Sequence, residues 1–204
     1  MKETDAQHDA TKVSVMLEEG VYPAHIASFS VKEDYPTKVG VADIFDLTYK
    51  LAPDVAKMTQ KCHTRSENGN FAINDSGNRI PLLVDGKQVE VSCEQFAGRV
   101  MYGGGLFLFK GSEGAGRNLR YTEFLDMVNI PVEEIDFEGH KVKKLMAIEE
   151  KDVVGKPIMV EVKYTESKAG KNKGKWFPNV VGMFKWESGK AIPVDEMLAS
   201  DLPF

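Results

Sequence analysis

The sequence LRYTEFLDMVNIP, at residues 119–131, decides how the rest of the chain is interpreted. Its large apolar residues recur at the i, i+3, i+4, i+7 spacing of a single helix face: Tyr121, Phe124, Leu125 and Val128. Pro131 cannot continue a helix, so the pattern predicts a helix over 119–129. Strand-like sequence lies on both sides of this helix.

Outside the helix, apolar residues mostly alternate with polar ones, which is typical of strands. Four longer strands are predicted: Val21–Val31, Val41–Leu51, Pro157–Thr165 and Lys175–Trp186. Asp43 interrupts the apolar face of the second strand, so we expect that end to reach solvent. Before the helix, Asn68-Gly69 and Asp85-Gly86 predict two hairpin turns. The capping-box spacing of Ser92–Gln95 predicts a short helix through Val100.

This order, with a helix between the third and fourth strands, is that of an OB-fold, a partly open Greek-key barrel. We therefore predict a mainly β protein with a five-stranded OB-fold barrel, β-hairpin insertions and a disordered C-terminal tail. A β-sandwich with one helix would give a similar order. The predicted divisions are an N-terminal extension at 1–19, the OB-fold domain at 20–186 with an insertion at about 66–118, and an acidic flexible tail at 187–204.

Composition and charge limit the class of protein. The apolar fraction is 42% and the charged fraction 28%, which are ordinary globular values. No apolar run approaches the length of about 20 residues that spans a membrane. No signal peptide is visible, and two widely separated cysteines fit a reducing compartment, so we expect a cytoplasmic protein. The net charge is −5, but residues 153–190 carry 8 basic and 3 acidic side chains, a segregation that suggests a function for this segment.

Motifs for catalysis are weak in this chain. No Gly-Lys pair is followed by Ser or Thr, which excludes a standard phosphate-binding P-loop. An acidic run that ends near His140 has no metal-loop spacing and is interpreted as solvated surface. Asp54, Glu161 and Lys163 imitate the PD…ExK pattern of metal-dependent nucleases, and this alternative stays open. The interpretation that we prefer is a protein without catalytic activity, cofactor or metal.

The strongest positive signal is a basic loop that leads into two aromatic residues. Its lysines are Lys163, Lys168, Lys171, Lys173 and Lys175, and Trp176 and Phe177 follow directly. Lysines neutralise phosphates, and flat aromatic side chains stack on unpaired bases. A binder of single strands needs both groups, so this segment predicts a nucleic-acid site.

A second group of cations is predicted on the strand that contains residues 61–65. Alternation places Lys61, His63 and Arg65 on one face of this strand. If this is the third strand of an OB-fold, that ladder lies where such folds bind a nucleic-acid strand. Lys61 and Arg65 are therefore candidate DNA contacts.

The chain ends in Asp201, Leu202, Pro203 and Phe204, after further acidic residues. This ending resembles the acidic tail tip of bacterial single-stranded DNA-binding proteins, which closes with Asp-Ile-Pro-Phe. The resemblance implies that these four residues bind replication and repair proteins rather than DNA. The body of the chain, with its insertion and late helix, more closely resembles single-stranded DNA-binding proteins of tailed phages. It implies an OB-fold and a role in phage DNA replication, recombination or repair, inside an infected bacterial cell.

The expected function is therefore non-specific binding of single-stranded DNA, with partner proteins recruited by the tail. A phage structural or adaptor β-domain is the other alternative. Further stacking candidates are Tyr102, Phe107, Phe109 and Trp186, although Phe107 and Phe109 lie in a short apolar strand, which favours a core position. Alternation places Trp186 with three residues that could face the interior, namely Trp176, Val180 and Phe184, and Phe177 would then be the stacking residue. The sequence leaves open whether the chain forms a homo-oligomer.

Overall fold

The computed structural model describes residues 15–111 and 116–199. The protein is mainly β, with 47% strand and 16% helix, and its principal sheet is open and antiparallel. This confirms the predicted fold class at that level. None of the described helices is both long and apolar enough to cross a membrane.

The first two strands form a long hairpin, β1 (Gly20–Thr37) and β2 (Gly40–Leu51). Both were predicted, and β1 continues beyond the predicted end at Val31. A bulge at Lys32–Tyr35 interrupts their register, with Asp34 at a φ of 50°. Such a bulge increases the local twist, so the outer part of the hairpin leaves the sheet as an exposed arm.

Asp43 lies at the base of this arm and is itself buried. The end of β2 beyond it, at Gly40 and Val41, is exposed, so this end of the strand reaches solvent as predicted. The Oδ1 atom of Asp43 accepts hydrogen bonds from Lys110 Nζ at 2.8 Å and from the Asp34 N–H at 2.9 Å. Burial alone would raise the pKa of Asp43, but these two donors outweigh it and hold the pKa below its ordinary value. The apolar face of β2 therefore ends at a buried carboxylate that is paired with an exposed lysine.

Four more strands complete the principal sheet: β7 (Val100–Tyr102), β8 (Leu106–Phe109), β11 (Pro157–Glu166) and β12 (Trp176–Phe184). The strand order is β12-β11-β1-β2-β7, and β8 also pairs with β2. A parallel bridge joins Gly103, just after β7, to Val180 in β12. The third strand position is thus taken by β7 and β8.

The core lies on one face of this sheet. Ile158, Val160, Val162 and Tyr164 all point into it from β11, as their alternation predicts. Helix α1 (Leu119–Met127) also covers the core, as predicted, and buries Tyr121, Phe124 and Leu125. Tyr121 packs 5.4 Å from Phe45, and its hydroxyl donates to the Met146 carbonyl and accepts from the Ile148 N–H.

The segment between β2 and β7 forms small ladders outside the principal sheet. Strand β3 (Thr59–Lys61) pairs with β6 (Glu90–Ser92), and β4 (Leu83–Val84) pairs with β5 (Lys87–Gln88). The sequence led us to expect the third strand of the principal sheet at residues 61–65. That expectation is wrong, because this segment lies outside the principal sheet. Asp85 and Gly86 both have positive φ, which confirms the predicted hairpin turn.

Two further expectations are corrected, one before helix α1 and one after it. The predicted helix through Val100 is a single 3₁₀ turn at Glu94–Phe96, because Val100 already belongs to β7. Residues predicted as a polar connection form a hairpin of β9 (Glu133–Phe137) and β10 (His140–Lys144), followed by α2 (Glu150–Val153). The acidic run lies on β9, opposite the lysines of β10, and Lys144 binds Glu133 at 3.4 Å.

The chain after β12 returns to the sheet, so the predicted flexible tail at 187–204 is wrong in its first part. His25 Nε2 lies 2.9 Å from the Lys190 carbonyl, and the Ile192 N–H donates to the Gly155 carbonyl. Helix α3 (Val194–Ala199) follows, and Met197 is buried beside Ala27 and Val154. Residues 200–204 lie outside the described part of the chain.

Both cysteines are free and buried. Cys93 Sγ is 3.7 Å from Gln60 Oε1. Cys62 lies two residues beyond Gln60, in the same segment between β2 and β7. Burial raises the pKa of both thiols. Neither is therefore a reactive thiolate at neutral pH.

Gly103 allows the close approach of β7 and β12, and its replacement tests this approach. A Cβ atom at Gly103 would lie 2.5 Å from the Val180 carbonyl oxygen, at a φ of 112°. Gly77 is the matched control, because it also has a positive φ, of 81°, but nothing lies near its Cβ position. We expect Gly77→Ala to cost about 1–2 kcal/mol for the left-handed backbone. Gly103→Ala should cost a further ~1–3 kcal/mol, because Val180 must move. Urea unfolding of both variants measures the difference, and equal costs would contradict a tight approach of the two strands.

Candidate nucleic-acid interface

The predicted basic loop connects β11 to β12 at one end of the sheet. Lys168, Lys171, Lys173 and Lys175 are all exposed, and none forms an ion pair with an acidic side chain of the described residues. Lys163 differs, because its Nζ atom binds Glu161 Oε1 at 2.8 Å, a hydrogen bond that raises the lysine pKa. Four of the five predicted lysines are thus free to meet phosphates.

The two aromatic residues after this loop have different surroundings. Phe177 is 40% exposed, whereas Trp176 is half-buried. The backbone N–H of Trp176 donates to the Asn68 carbonyl at 2.8 Å. The insertion thus packs on the start of β12. Of the two alternatives from the sequence, the structure favours Phe177 as the residue that offers a ring face to a ligand.

Phe177 lines a cleft between β12 and β7. The cleft has a volume of about 520 Å³, and Tyr102 and Arg99 of the β7 region line it opposite Phe177 and Asn179 of β12. Tyr102 is 62% exposed and Arg99 is exposed as well. Two aromatic side chains and a cation therefore meet at one opening.

Two further aromatic rings continue this surface along β8. Phe107 is 43% exposed and stacks on Phe109, with ring centroids 6.0 Å apart and an interplanar angle of 16°. Leu106 and Leu108 take the core face instead. The expectation of a core position is therefore wrong for Phe107, whereas Phe109 is half-buried. In a run of alternating Leu and Phe, either set can face inward, and the sequence offers no signal for the choice.

We define the aromatic track as Tyr102, Phe107, Phe109 and Phe177. Tyr102 pairs with Thr48 and Phe107 with Ile44, so the two rings project from the same face of the sheet. Four residues of β2 separate these positions, which is about 13 Å at ~3.3 Å per residue.

Several cations near the track are already paired. Lys32 binds Asp46 at 2.9 Å, and Lys110 binds Asp34 at 2.7 Å as well as Asp43. Acidic partners reduce the positive potential at the β8 end. The unpaired lysines are concentrated beside Phe177, so the electrostatic attraction for phosphates is strongest at the cleft end of the track.

The predicted ladder of exposed cations at residues 61–65 is wrong for two of its three members. The Arg65 side chain is only 11% exposed, and its guanidinium lies 3.6 Å from Glu18 Oε1. His63 also turns to Glu18, with Nδ1 3.0 Å from Oε2. Lys61 alone stays exposed, opposite Glu90 in β6. Arg65 is therefore a buried structural residue, and its guanidinium is not accessible to phosphates.

The surroundings of Arg65 explain why it is buried. Its guanidinium carbon is 3.4 Å from the ring centroid of Phe71 and 4.0 Å from that of Tyr164, so the cation lies between two aromatic faces. Its Nη2 donates to the Leu17 carbonyl, whereas Nε and Nη1 have no acceptor within the described ranges. We call Glu18, Arg65, Phe71 and Tyr164 together the Glu18–Arg65 cluster. It fastens the insertion to the start of β1 and to β11.

Trp186 lies away from the track. Its ring makes an edge contact with His25, with centroids 5.5 Å apart, and its indole N–H donates to Ser188. Phe184, expected to share the inner face with Val180, is 46% exposed, whereas Met183 is buried. A register shift between Glu161 and Val162 of β11 inserts one extra residue into β12 and moves Phe184 to the outside.

The two carboxylates of the nuclease alternative, Asp54 and Glu161, are each paired with a lysine. Asp54 binds Lys57 at 2.7 Å, and Glu161 binds Lys163. Across residues 15–111 and 116–199, no group of three or more His, Cys, Asp or Glu side chains is placed to hold a metal ion. The predicted partner-binding residues Asp201, Leu202, Pro203 and Phe204 lie outside the described residues.

In comparisons with known proteins, the chain matches no protein-family model, and neither a curated protein nor a solved structure gives a significant match. The geometry of the interface is therefore the ground for a functional assignment.

Proposed function

We propose that this protein binds single-stranded DNA without strong sequence preference and has no catalytic activity. The observation that carries the proposal is the aromatic track, which ends at a loop with four unpaired lysines. Stacking on exposed rings suits any base, and lysines neutralise phosphates whatever the sequence. Rings inside a duplex groove would have no free base face to stack on, so unpaired strands are the ligand that fits.

The same proposal includes an OB-fold. Antiparallel pairing of β1 with β2 and β11, of β2 with β7, and of β11 with β12 supports it. The parallel bridge between Gly103 and Val180 would join the two ends of this order into a barrel. Helix α1 lies between the third and fourth strand positions, which also agrees with that fold. On this assignment Tyr102, Phe107 and Phe109 lie on the third strand, and Phe177 lies on the fifth, directly after the loop between the fourth and fifth strands. OB-folds bind their ligands with the face of strands 2 and 3 and with that loop.

The C-terminal residues complete the proposal. Asp201, Leu202, Pro203 and Phe204 combine an acidic side chain, which would not attract phosphates, with apolar side chains. We assign them to the recruitment of replication and repair proteins. A phage replication or recombination system in the bacterial cytoplasm is the setting that the resemblance of the tail and body supports.

Salt dependence tests the DNA-binding proposal directly. If three to five phosphates are neutralised, log K should fall against log salt with a slope of about −2 to −3.5 for a single-stranded 30-mer. Replacing Lys168, Lys171 and Lys173 by Ala should weaken binding for all sequences and bring the slope nearer to zero by about 2. Fluorescence anisotropy with labelled oligonucleotides at several salt concentrations measures both quantities.

The matched control is the triple alanine variant of Lys87, Lys141 and Lys151, three exposed lysines on β5, β10 and α2. It makes the same change in net charge, and none of the three lysines lines a cavity with a residue of the aromatic track. We expect this variant to bind DNA with a slope close to that of the wild type. Equal effects of the two triple variants would show that only net charge matters, and absence of binding to the 30-mer at low salt would refute the proposed function.

A further inference from the structure

The cleft between β7 and β12 has the size and lining of a pocket for one small planar ligand. Its volume of about 520 Å³ falls within the usual range for ligand pockets, about 300–1,000 Å³. Tyr102 and Phe177 supply two exposed aromatic side chains to its lining. Its polar lining includes Arg99, Asn179, Thr165, Ser167 and Asn172. A surface that only stacked bases would not need this many polar groups in one place.

The hydrogen bonds of Asn179 fix what the cleft can offer to a ligand. Its Nδ2 group donates to Thr165 Oγ1 and, at 3.2 Å, to the Phe177 carbonyl. Both amide hydrogens are thereby used, and Oδ1 remains as an acceptor. The orientation of the amide is set by the strand pair β11–β12, because Thr165 lies opposite Phe177 in that register. The cleft therefore presents a held acceptor on the β12 side.

Arg99 supplies donors on the opposite side. The side chain is exposed, lies at the start of β7, and has no carboxylate partner within the described parts of the chain. A guanidinium group donates two parallel hydrogen bonds in a fixed plane, which a lysine cannot reproduce. The cleft thus combines a two-pronged donor, a single acceptor and aromatic walls.

We propose that this cleft receives one unstacked guanine base of the bound strand, an inference that rests on the proposed DNA-binding function. Guanine carries two adjacent acceptors, O6 and N7, that match an arginine fork. Its N–H groups can donate to an acceptor such as Asn179 Oδ1. Adenine and thymine lack a pair of adjacent acceptors, whereas unpaired cytosine has one in O2 and N3 but offers a smaller ring to the aromatic walls than guanine does. In a single strand no base pair has to be opened before the base enters, so the cost of insertion is small.

The test compares four 12-mers: oligo-dT and the same oligonucleotide with one central dG, dA or dC. We expect the dG oligonucleotide to bind about tenfold more tightly than oligo-dT, as one bidentate base contact implies. The dA oligonucleotide should bind much as oligo-dT does. The dC oligonucleotide should fall between oligo-dT and the dG oligonucleotide, because cytosine offers an acceptor pair but a smaller ring. The readout is the ratio of the dissociation constants for oligo-dT and the dG oligonucleotide, measured by anisotropy at one salt concentration.

Arg99→Lys keeps the charge but removes the planar fork, so it should bring this ratio close to one. Arg120→Lys is the matched control, since Arg120 is an exposed arginine on α1 outside the cleft, and it should leave the ratio unchanged. Equal binding of all four oligonucleotides by the wild type would overturn the guanine pocket, and so would a dG preference that survives Arg99→Lys. Failure to bind any of them would instead contradict the DNA-binding function itself.

Discussion

Glu18→Gln should lower the free energy of unfolding by about 3–5 kcal/mol, although the change removes only one charge. Glu18 is buried, and its carboxylate faces Arg65 and His63. This carboxylate also accepts a hydrogen bond from the backbone N–H of His63 at 2.9 Å. Without the carboxylate, the Arg65 cation stays between Phe71 and Tyr164 with no acidic partner at Glu18, and a buried unpaired charge is costly. Urea unfolding followed by circular dichroism measures the loss.

The control for this prediction is Asp54→Asn, which breaks the exposed pair with Lys57. That pair lies at the surface, so the variant should lose less than about 1 kcal/mol. Combining Glu18→Gln with Arg65→Met should recover part of the lost stability, because the unpaired cation is also removed. If Glu18→Gln were as stable as Asp54→Asn, the Glu18–Arg65 cluster would not hold the insertion in place.

Tyr102→Ala and Phe177→Ala should each weaken binding of oligo-dT by about 1–3 kcal/mol, which is the usual contribution of one stacked base. The double variant should therefore lose at least about thirtyfold in affinity at moderate salt. Both rings are exposed, so their removal should leave the unfolding transition nearly unchanged. The loss should also persist at high salt, because stacking is not screened as phosphate contacts are.

Phe184→Ala is the matched control for the aromatic variants. Phe184 is 46% exposed, similar to Phe177, and lies at the other end of the same strand. We expect its removal to leave DNA affinity within about twofold of the wild type, since it is not part of the aromatic track. Wild-type affinity in the Tyr102 and Phe177 double variant would rule out the track as the binding surface.

The strands and the long helix could be predicted because their apolar periodicity is local. Residues 119–129 and 157–165 show it without interruption, and β2 shows it except at Asp43. The third strand was misplaced because residues 61–65 and 100–109 are both strand-like. Only pairing with β2, a contact distant in sequence, distinguishes them. The β9–β10 hairpin was missed because its exposed charged residues carry almost no periodic signal.

The candidate site was predicted in part. The lysines of the β11–β12 loop and Phe177 follow from residue type and neighbourhood alone, whereas Phe107 required knowledge of which face of β8 is buried. Arg65 was predicted as a DNA contact because a strand pattern gives alternation but not the partners on the facing side. A single extra residue in β12 likewise moved Phe184 outward, and a bulge leaves no pattern in the sequence.

The two buried cysteines make the chain suited to site-specific labelling. Because burial raises both thiol pKa values, maleimide dyes should react slowly with Cys62 and Cys93 in the folded protein. A single cysteine introduced at an exposed position, such as Ser188, would then carry the dye without removal of the native thiols. Energy transfer from that dye to labelled oligonucleotides of either polarity would give the direction in which a strand runs along the sheet.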